Sequence, residues 1–202
     1  MDTPDPDRGR LGRVVGIGAS AGGVDALIRL FGEVNADLPA ALLVVLHVPA
    51  TGRSLLAPIL DRRTALDVRV AEDGEALVAG RVYVAPPDRH LIVDDGRIRL
   101  ELGPRENAVR PAVDPMLRSL AAAYGEDAVA IVLSGAMGDG SSGALAVKLA
   151  GGKVIVQDPE DAAVPSMPES ALRAVGAADA VLDAESIGRE LARLDDGRGT
   201  MR

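Results

Sequence analysis

The sequence has 202 residues, 48% of them apolar and 26% charged, and 30 acidic residues outnumber 22 basic ones to give a formal net charge of −8. This composition predicts a folded, water-soluble chain and excludes a disordered one, and the acidic balance argues against nucleic acid as the main partner. Cysteine is absent, which excludes disulfides, thiolate metal sites and a cysteine nucleophile and favours a reducing compartment.

The N-terminal segment is unlike a targeting signal, because residues 1–7 are acidic and proline-rich. No apolar run approaches the roughly 20 residues of a membrane span. We therefore expect a cytoplasmic protein without membrane insertion. Residues 1–12 are predicted to form a flexible segment, residues 13–194 a single domain and residues 195–202 a polar tail.

From Arg13 onward, strand-like and helix-like segments alternate along the chain. The apolar run 41–48 is typical of a strand buried on both faces, and 24–34 has helical spacing. The predicted strands cover 14–19, 41–48, 68–70, 81–84, 90–93, 97–102, 128–133, 153–157 and 180–182, and the predicted helices cover 24–34, 54–63, 113–124, 142–150, 168–175 and 184–194.

This alternation predicts an α/β fold with a doubly wound, mostly parallel sheet that has helices on both faces. The sequence Asp94-Asp95-Gly96 between two short strands predicts an additional antiparallel β-hairpin. In sheets of this kind, ligands bind beyond the carboxyl ends of the strands. The residues that follow each strand are therefore the candidates for function.

The first strand runs into a glycine-rich turn that fits two motifs. Gly16-x-Gly18-x-x-Ala21 fits a dinucleotide-binding fingerprint, and Gly18-x-Ser20-x-Gly22 fits a nucleophile elbow. A dinucleotide site also requires an acidic residue at the end of the second strand, where this chain has His47. A phosphate-binding P-loop is excluded because no Gly-Lys-Ser/Thr follows the glycines.

Two further polar residues follow buried strands and could act with Ser20. His47 ends the second strand, where its imidazole could serve as the base that a serine hydroxyl needs, although it could also merely cap the strand. Asp139 follows the strand at 128–133, where a carboxylate could orient His47, but an ordinary helix N-cap is the alternative. The order Ser, His, Asp differs from that of the α/β-hydrolases. His90 is expected to be structural, and two histidines without cysteine make a poor zinc site.

Several motifs occur together in one order along the chain, from Ile17-Gly18-Ala19-Ser20 to Met167-Pro168. Between them lie Leu46-His47-Val48-Pro49, Ala71-Glu72-Asp73-Gly74, Val84-Ala85-Pro86-Pro87-Asp88-Arg89-His90, Arg110-Pro111-Ala112-Val113-Asp114 and Leu133-Ser134-Gly135 with Asp139-Gly140. This set resembles the catalytic domain of the chemotaxis receptor methylesterases, the CheB family, over roughly residues 13–194.

The resemblance implies a serine hydrolase in chemotaxis signal transduction. It would hydrolyse glutamate γ-methyl esters on the cytoplasmic domain of chemoreceptors, and many members of the family also deamidate receptor glutamines. By resemblance, Ser20 is the nucleophile, His47 the base and Asp139 the acid. The backbone of Ala21 is the first expected oxyanion donor, and the turn at Ala136 and Met137 is the second. No metal or cofactor is needed for this chemistry.

Two departures from the family pattern bear on activity and regulation. In Gly135-Ala136-Met137-Gly138, Ala136 stands where a larger side chain is expected and Met137 replaces a small residue, which bears on the second oxyanion donor. About a dozen residues precede the first strand, whereas the archetypal family member carries an N-terminal receiver domain. Gating by phosphorylation in cis is therefore not expected, which leaves constitutive access, a separate receiver protein as regulator, or a longer parent chain.

Three functions remain open at this stage. The first is the methylesterase, with Arg110 and Met167 as candidate substrate-binding residues; for Arg110 a capping and surface role is the alternative. The second is a non-catalytic relative that binds a signalling partner. The third is a dinucleotide-binding oxidoreductase, which only the first glycine motif supports.

Overall fold

The computed structural model describes residues 12–48 and 54–194; the predicted flexible segment before residue 12 and the predicted polar tail lie outside the described residues. Its strands are β1 Arg13–Ala19, β2 Ala40–Leu46, β3 Asp67–Val70, β4 Arg81–Val84, β5 His90–Asp94, β6 Arg97–Glu101, β7 Ala128–Val132, β8 Lys153–Gln157 and β9 Ala180–Leu182. Its α-helices are α1 Gly23–Phe31, α2 Leu56–Asp61, α3 Val113–Tyr124, α4 Ser141–Leu149, α5 Ser166–Val175 and α6 Ala184–Leu191.

Seven strands form one parallel sheet in the order β3-β4-β2-β1-β7-β8-β9, and β5 pairs with β6 as a separate antiparallel hairpin. Strand β1 lies between β2 and β7, with which it pairs in parallel. The chain therefore builds the sheet outward from β1 in both directions, which puts the switch point of the topology at the carboxyl end of β1. The predicted fold class is confirmed.

Two apolar layers cover the sheet. Helices α1, α2 and α6 pack on one face, where Leu27, Leu60 and Ile187 are fully buried. Helices α3, α4 and α5 and the hairpin pack on the other, around Met116 and Leu117. All seven residues of β2 are buried, which explains why this strand is apolar throughout rather than alternating.

Helix α3 packs unusually close to β1, and the glycines of β1 make this possible. A Cβ on Gly16 would lie 2.6 Å from Cδ2 of Leu117, and a Cβ on Gly18 would lie 2.7 Å from Cγ2 of Val113. Both distances are far shorter than ordinary van der Waals contacts. The Gly-x-Gly pair thus has a packing reason that involves no nucleotide.

The predicted ends of several helices were wrong by a few residues. Helix α1 ends at Phe31 rather than at residue 34, and α2 covers Leu56–Asp61 rather than 54–63. Val34 is nevertheless buried. Apolar spacing reports which side chains face the core, and it does not report where the backbone leaves helical dihedral angles.

None of the helices within the described ranges combines the length and the hydropathy that crossing a membrane would require.

Candidate active site

Three polar side chains meet at the carboxyl edge of the sheet. Ser20 follows β1, His47 follows β2 and Asp139 lies in the loop after β7. The Oγ of Ser20 lies 3.0 Å from Nδ1 of His47, and Nε2 of His47 lies 2.7 Å from Oδ2 of Asp139. The structure therefore brings the three residues into one continuous line of hydrogen bonds.

Backbone hydrogen bonds that continue the sheet beyond its strands fix Ser20 and His47. The N–H of Ser20 donates to the carbonyl of Ser134 at 2.9 Å, two residues past the last pair of β1 with β7. The N–H of His47 donates to the carbonyl of Ala19 at 3.2 Å, one step past the pairing of β1 with β2. The backbones of the two residues are thus held by the sheet itself rather than by a free loop.

Asp139 is 1% exposed, and its carboxylate accepts hydrogen bonds from the start of α3. Oδ2 accepts the N–H of Val113 at 2.7 Å, and Oδ1 accepts the N–H of Asp114 at 3.1 Å. The N-cap residue of α3, Ala112, has no side chain able to do this. Asp139 therefore caps α3, while its own helix α4 begins after Gly140.

Burial raises the pKa of the Asp139 carboxyl, but hydrogen bonds from His47, Val113 and Asp114 together outweigh burial and hold the pKa below its ordinary value. The group is therefore a carboxylate at neutral pH. A carboxylate only accepts hydrogen bonds, so the proton of a neutral His47 sits on Nε2. Nδ1 then presents its lone pair to the Ser20 hydroxyl, which is the arrangement needed to remove the hydroxyl proton.

Backbone N–H groups around Ser20 could hold a developing negative charge. Ala21, Ala136 and Met137 are exposed, and within residues 12–48 and 54–194 their N–H groups have no hydrogen-bond partner. Ala21 stands directly before Gly22, the N-cap of α1, where the helix dipole favours an anion. The structure thus leaves N–H donors free at Ala21, next to Ser20, and in the turn at Ala136 and Met137.

The CheB methylesterase family model matches residues 15–191. The chain belongs to the CheB methylesterase family. Protein-glutamate methylesterase/protein-glutamine glutaminase 1 of Paramagnetospirillum magneticum is 40% identical over 198 residues, covering 96% of this chain and 50% of that protein. The corresponding protein 3 of Anaeromyxobacter dehalogenans is 44% identical over 191 residues, covering 94% of this chain and 55% of that protein.

A solved structure agrees with the family assignment. The crystal structure of the Thermotoga maritima CheB methylesterase catalytic domain is 39% identical in sequence and matches with a TM-score of 0.86, covering 91% of this chain and 99% of that one. The chain spans about half the length of the curated relatives that it matches. The similarity to CheB relatives therefore concerns the catalytic domain.

Met137, one of the departures from the CheB pattern, has a left-handed backbone with φ of 69°. Its side chain is 67% exposed, so the residue fills no pocket in the fold. A non-glycine residue in this region costs roughly 1–2 kcal/mol. Glycine, which has no Cβ, would avoid that cost at this position.

Met167 lies beside Gly135 and is fully buried. Its N–H donates to the carbonyl of Gly135 at 2.9 Å. A Cβ added to Gly135 would collide with Sδ of Met167 and would lie 2.8 Å from Cβ of Ser20. Gly135 therefore lies between Met167 and Ser20 with no room for a side chain, and the substrate-binding role of Met167 stays a prediction.

Arg110 and His90 tie together the loops on one side of the site. Arg110 donates to Oδ1 of Asp88 at 2.7 and 3.0 Å and to the carbonyl of Gly103 at 2.6 Å. His90 is 4% exposed; its Nε2 lies 2.9 Å from the carbonyl of Pro104, and its Nδ1 accepts the N–H of Ala112. His90 is thus structural, as expected, and the substrate-binding role of Arg110 remains a prediction.

Sequence reasoning missed three polar residues that support the site. Ser134 is fully buried, and its hydroxyl donates to the carbonyl of Ala21 at 2.8 Å. The side chain of Gln157 accepts the N–H of Ser134 at 2.8 Å. Both follow or end buried strands, which is a signal that could have found them. Asn107 donates to Asp139 from a loop without any such signal.

No group of three or more histidine, cysteine, aspartate and glutamate side chains converges to hold a metal ion in the part of the chain that the structure describes.

Proposed function

We propose that the chain is a carboxylic ester hydrolase that removes methyl groups from glutamate γ-methyl esters of chemoreceptors and deamidates receptor glutamines. The single observation that carries this proposal is the line of hydrogen bonds from Ser20 through His47 to Asp139, with distances of 3.0 and 2.7 Å. The names of the relatives, protein-glutamate methylesterase/protein-glutamine glutaminase, supply the substrate class.

In the proposed reaction, Oγ of Ser20 attacks the ester carbonyl carbon while Nδ1 of His47 takes the hydroxyl proton. The resulting oxyanion is bound by the N–H of Ala21 and by an N–H of the turn at Ala136 and Met137. His47 then gives its proton to the departing methoxide, which leaves as methanol. Water, deprotonated by the same imidazole, attacks the acyl carbon; His47 returns the proton to the departing Oγ of Ser20, and the glutamate side chain of the substrate is released as a carboxylate.

Asp139 accepts the hydrogen bond from Nε2–H of His47 throughout, without taking the proton, and stabilises the imidazolium that forms in each half of the reaction. The same sequence of steps deamidates a glutamine side chain, with ammonia as the leaving group in place of methanol. Every step is an acyl transfer or a proton transfer between side chains and substrate. The proposed scheme therefore uses no cofactor.

The proposed substrate is the cytoplasmic methylation region of a chemoreceptor, and the proposed location is the cytoplasm. Arg110 and Met167 are the proposed substrate-binding residues. For Met167, support comes from its packing against Gly135, which in turn lies next to Ser20. A separate receiver protein is the proposed regulator.

The test measures methanol release from a methylated receptor fragment by the wild-type chain and by S20A. Wild type should release methanol, and S20A should lose several orders of magnitude in rate while it unfolds at the same temperature as wild type. An inactive wild type that still binds the receptor fragment would favour the non-catalytic relative. Retained turnover in S20A would rule out the proposed nucleophile.

The hypothesis of a dinucleotide-binding oxidoreductase rested on the glycines of β1, and the close packing of α3 explains Gly16 and Gly18 without a nucleotide. A thermal-shift measurement with dinucleotides tests this hypothesis. We expect no change in the unfolding temperature. An increase in the unfolding temperature that saturates at micromolar dinucleotide would support the oxidoreductase hypothesis.

A further inference from the structure

Asn107 forms a bridge between two buried carboxylates. Its Nδ2 donates to Oδ1 of Asp139 at 2.7 Å and to Oδ2 of Asp114 at 2.9 Å. Asp114 is 5% exposed, and its other oxygen accepts the N–H of Gly143 in α4 at 2.7 Å. A side-chain amide has two N–H hydrogens, so one Asn107 can serve both acids at once.

The two acids need such a bridge, because like charges at short range repel strongly where water is excluded. Burial, together with the nearby charge of Asp139, raises the pKa of the Asp114 carboxyl above its ordinary value. Arg118 also acts on Asp114, but its guanidinium is hydrogen-bonded to Glu106 at 2.7 Å. Asn107 is therefore the side chain that contacts both carboxylates directly.

The backbone around Asn107 is built to aim this amide inward. Asn107 and Ala108 have φ of 50° and 66°, and Glu106 and Val109 exchange two backbone hydrogen bonds across them. This is a two-residue turn with both central residues left-handed, a conformation that asparagine tolerates better than most residues. Asn107 is exposed as a residue, yet its amide reaches the buried Asp139.

We propose that Asn107 is a positioning residue: by donating to Asp139 and Asp114 together, it holds the Asp139 carboxylate in line with Nε2 of His47. Its Nδ2 occupies Oδ1 of Asp139, which leaves Oδ2 for His47 and Val113. The proposal rests on the proposed function, since positioning matters only if His47 acts as a base. Asn107 itself touches neither Ser20 nor a substrate.

The decisive variants are N107G and N107A, with A108G as the matched control. N107G removes the amide but keeps the left-handed turn, whereas N107A removes the amide and strains the turn. A108G relaxes the neighbouring left-handed position and leaves the amide intact. The loop is exposed, so water can enter beside the acids and the variants should fold, which thermal unfolding checks.

Three readouts are compared in wild type and the variants: kcat, KM and the pH titration of the His47 ring followed by NMR. The chain has two histidines, so few ring signals need assignment. We expect kcat to fall by about ten- to a hundredfold in both N107G and N107A with little change in KM. The NMR signals of the His47 ring should also change in both variants, because the Asp139 carboxylate is no longer held in line with Nε2. A108G should match wild type.

Unchanged kcat and ring titration in N107G would overturn the proposal, and an effect confined to N107A would overturn it in favour of turn geometry alone. A fully inactive wild type would instead contradict the proposed function. The ring titration would still decide the positioning role in that case, because it requires no turnover.

Discussion

The N–H of Val113 and the Nε2 of His47 share one carboxylate oxygen, Oδ2 of Asp139, each at a distance of 2.7 Å. Val113 is the first residue of α3, and α3 packs on β1 through Gly16 and Gly18. The orientation of His47 is therefore coupled to how closely this helix lies on the central strand. A substitution that moves α3 away from β1 should therefore also disturb the orientation of His47.

Replacing Asp139 by asparagine should impair both stability and activity. One carboxylate oxygen accepts hydrogen bonds from His47 and Val113, and the other accepts them from Asn107 and Asp114. In either orientation of an asparagine side chain, its NH2 group would therefore face two hydrogen-bond donors. We expect D139N to lose about 1–3 kcal/mol of unfolding free energy and kcat to fall about ten-thousandfold. Urea denaturation and methanol release measure the two effects.

S20A is the matched control for D139N, since it should lose activity without losing stability. A D139N variant that unfolds at the same urea concentration as wild type would mean that the capping of α3 contributes nothing to the fold.

The pH dependence of stability should also report Asp139. Its pKa is lowered in the folded state, so the folded protein binds its proton less readily than the unfolded chain does. The stabilisation is therefore fully present above the unfolded value of about 3.9 and is lost as the pH falls through the folded value. We expect the stability difference between wild type and D139N to shrink as the pH falls below about 4. A difference that grows over this acidic range would contradict the sign.

A double-mutant cycle tests the close approach of α3 to β1. In G18A the new Cβ meets the side chain of Val113, so we expect a loss of about 1–3 kcal/mol. V113A should cost about 2 kcal/mol through the cavity that it leaves. Because the smaller side chain of V113A makes room for the methyl group of G18A, the double variant should be more stable than the sum of the single losses predicts, by about 1 kcal/mol or more. Strictly additive losses would show that the two positions do not touch.

Met137 offers a stabilising substitution. Glycine at this position removes the cost of the left-handed backbone, which exceeds the extra freedom that glycine gives the unfolded chain. M137G should therefore gain about 0.5–1 kcal/mol of unfolding free energy, measured by urea denaturation. M137A keeps the unfavourable backbone and serves as the control, which should gain nothing. Equal stability of the two variants would show that backbone conformation is not the cause.

The sequence was sufficient to predict the parallel sheet and the edge at which the three candidate residues meet. Buried parallel strands are continuous apolar runs, and a polar residue directly after such a run lies at the carboxyl edge, as Ser20 and His47 do. The glycines of β1 remained ambiguous, because a nucleotide, a sharp turn and a close helix all require small residues. Only the position of α3 in the structure shows that close helix packing is what requires glycine at these two positions.

Asn107 could not be predicted, because its contacts depend on how a loop without periodicity folds over α3 and α4. The capping by Asp139 was partly anticipated, since an N-cap was the alternative for this residue. Asp139 does not cap the helix that follows it. It caps α3, whose first residue, Val113, lies 26 residues earlier in the chain. Sequence spacing identifies local caps and carries no information on such distant ones.

The ladder bonds that fix Ser20 to Ser134 and His47 to Ala19 have a consequence for how any ester reaches the hydroxyl. The backbone that carries the alcohol and the imidazole cannot shift without breaking hydrogen bonds at the ends of the central strands. The substrate must then supply the flexibility that brings its ester carbonyl to the Ser20 hydroxyl. A glutamyl ester at the tip of a long, rotatable side chain on an exposed helix has that flexibility, whereas a rigid ester buried in a folded partner does not.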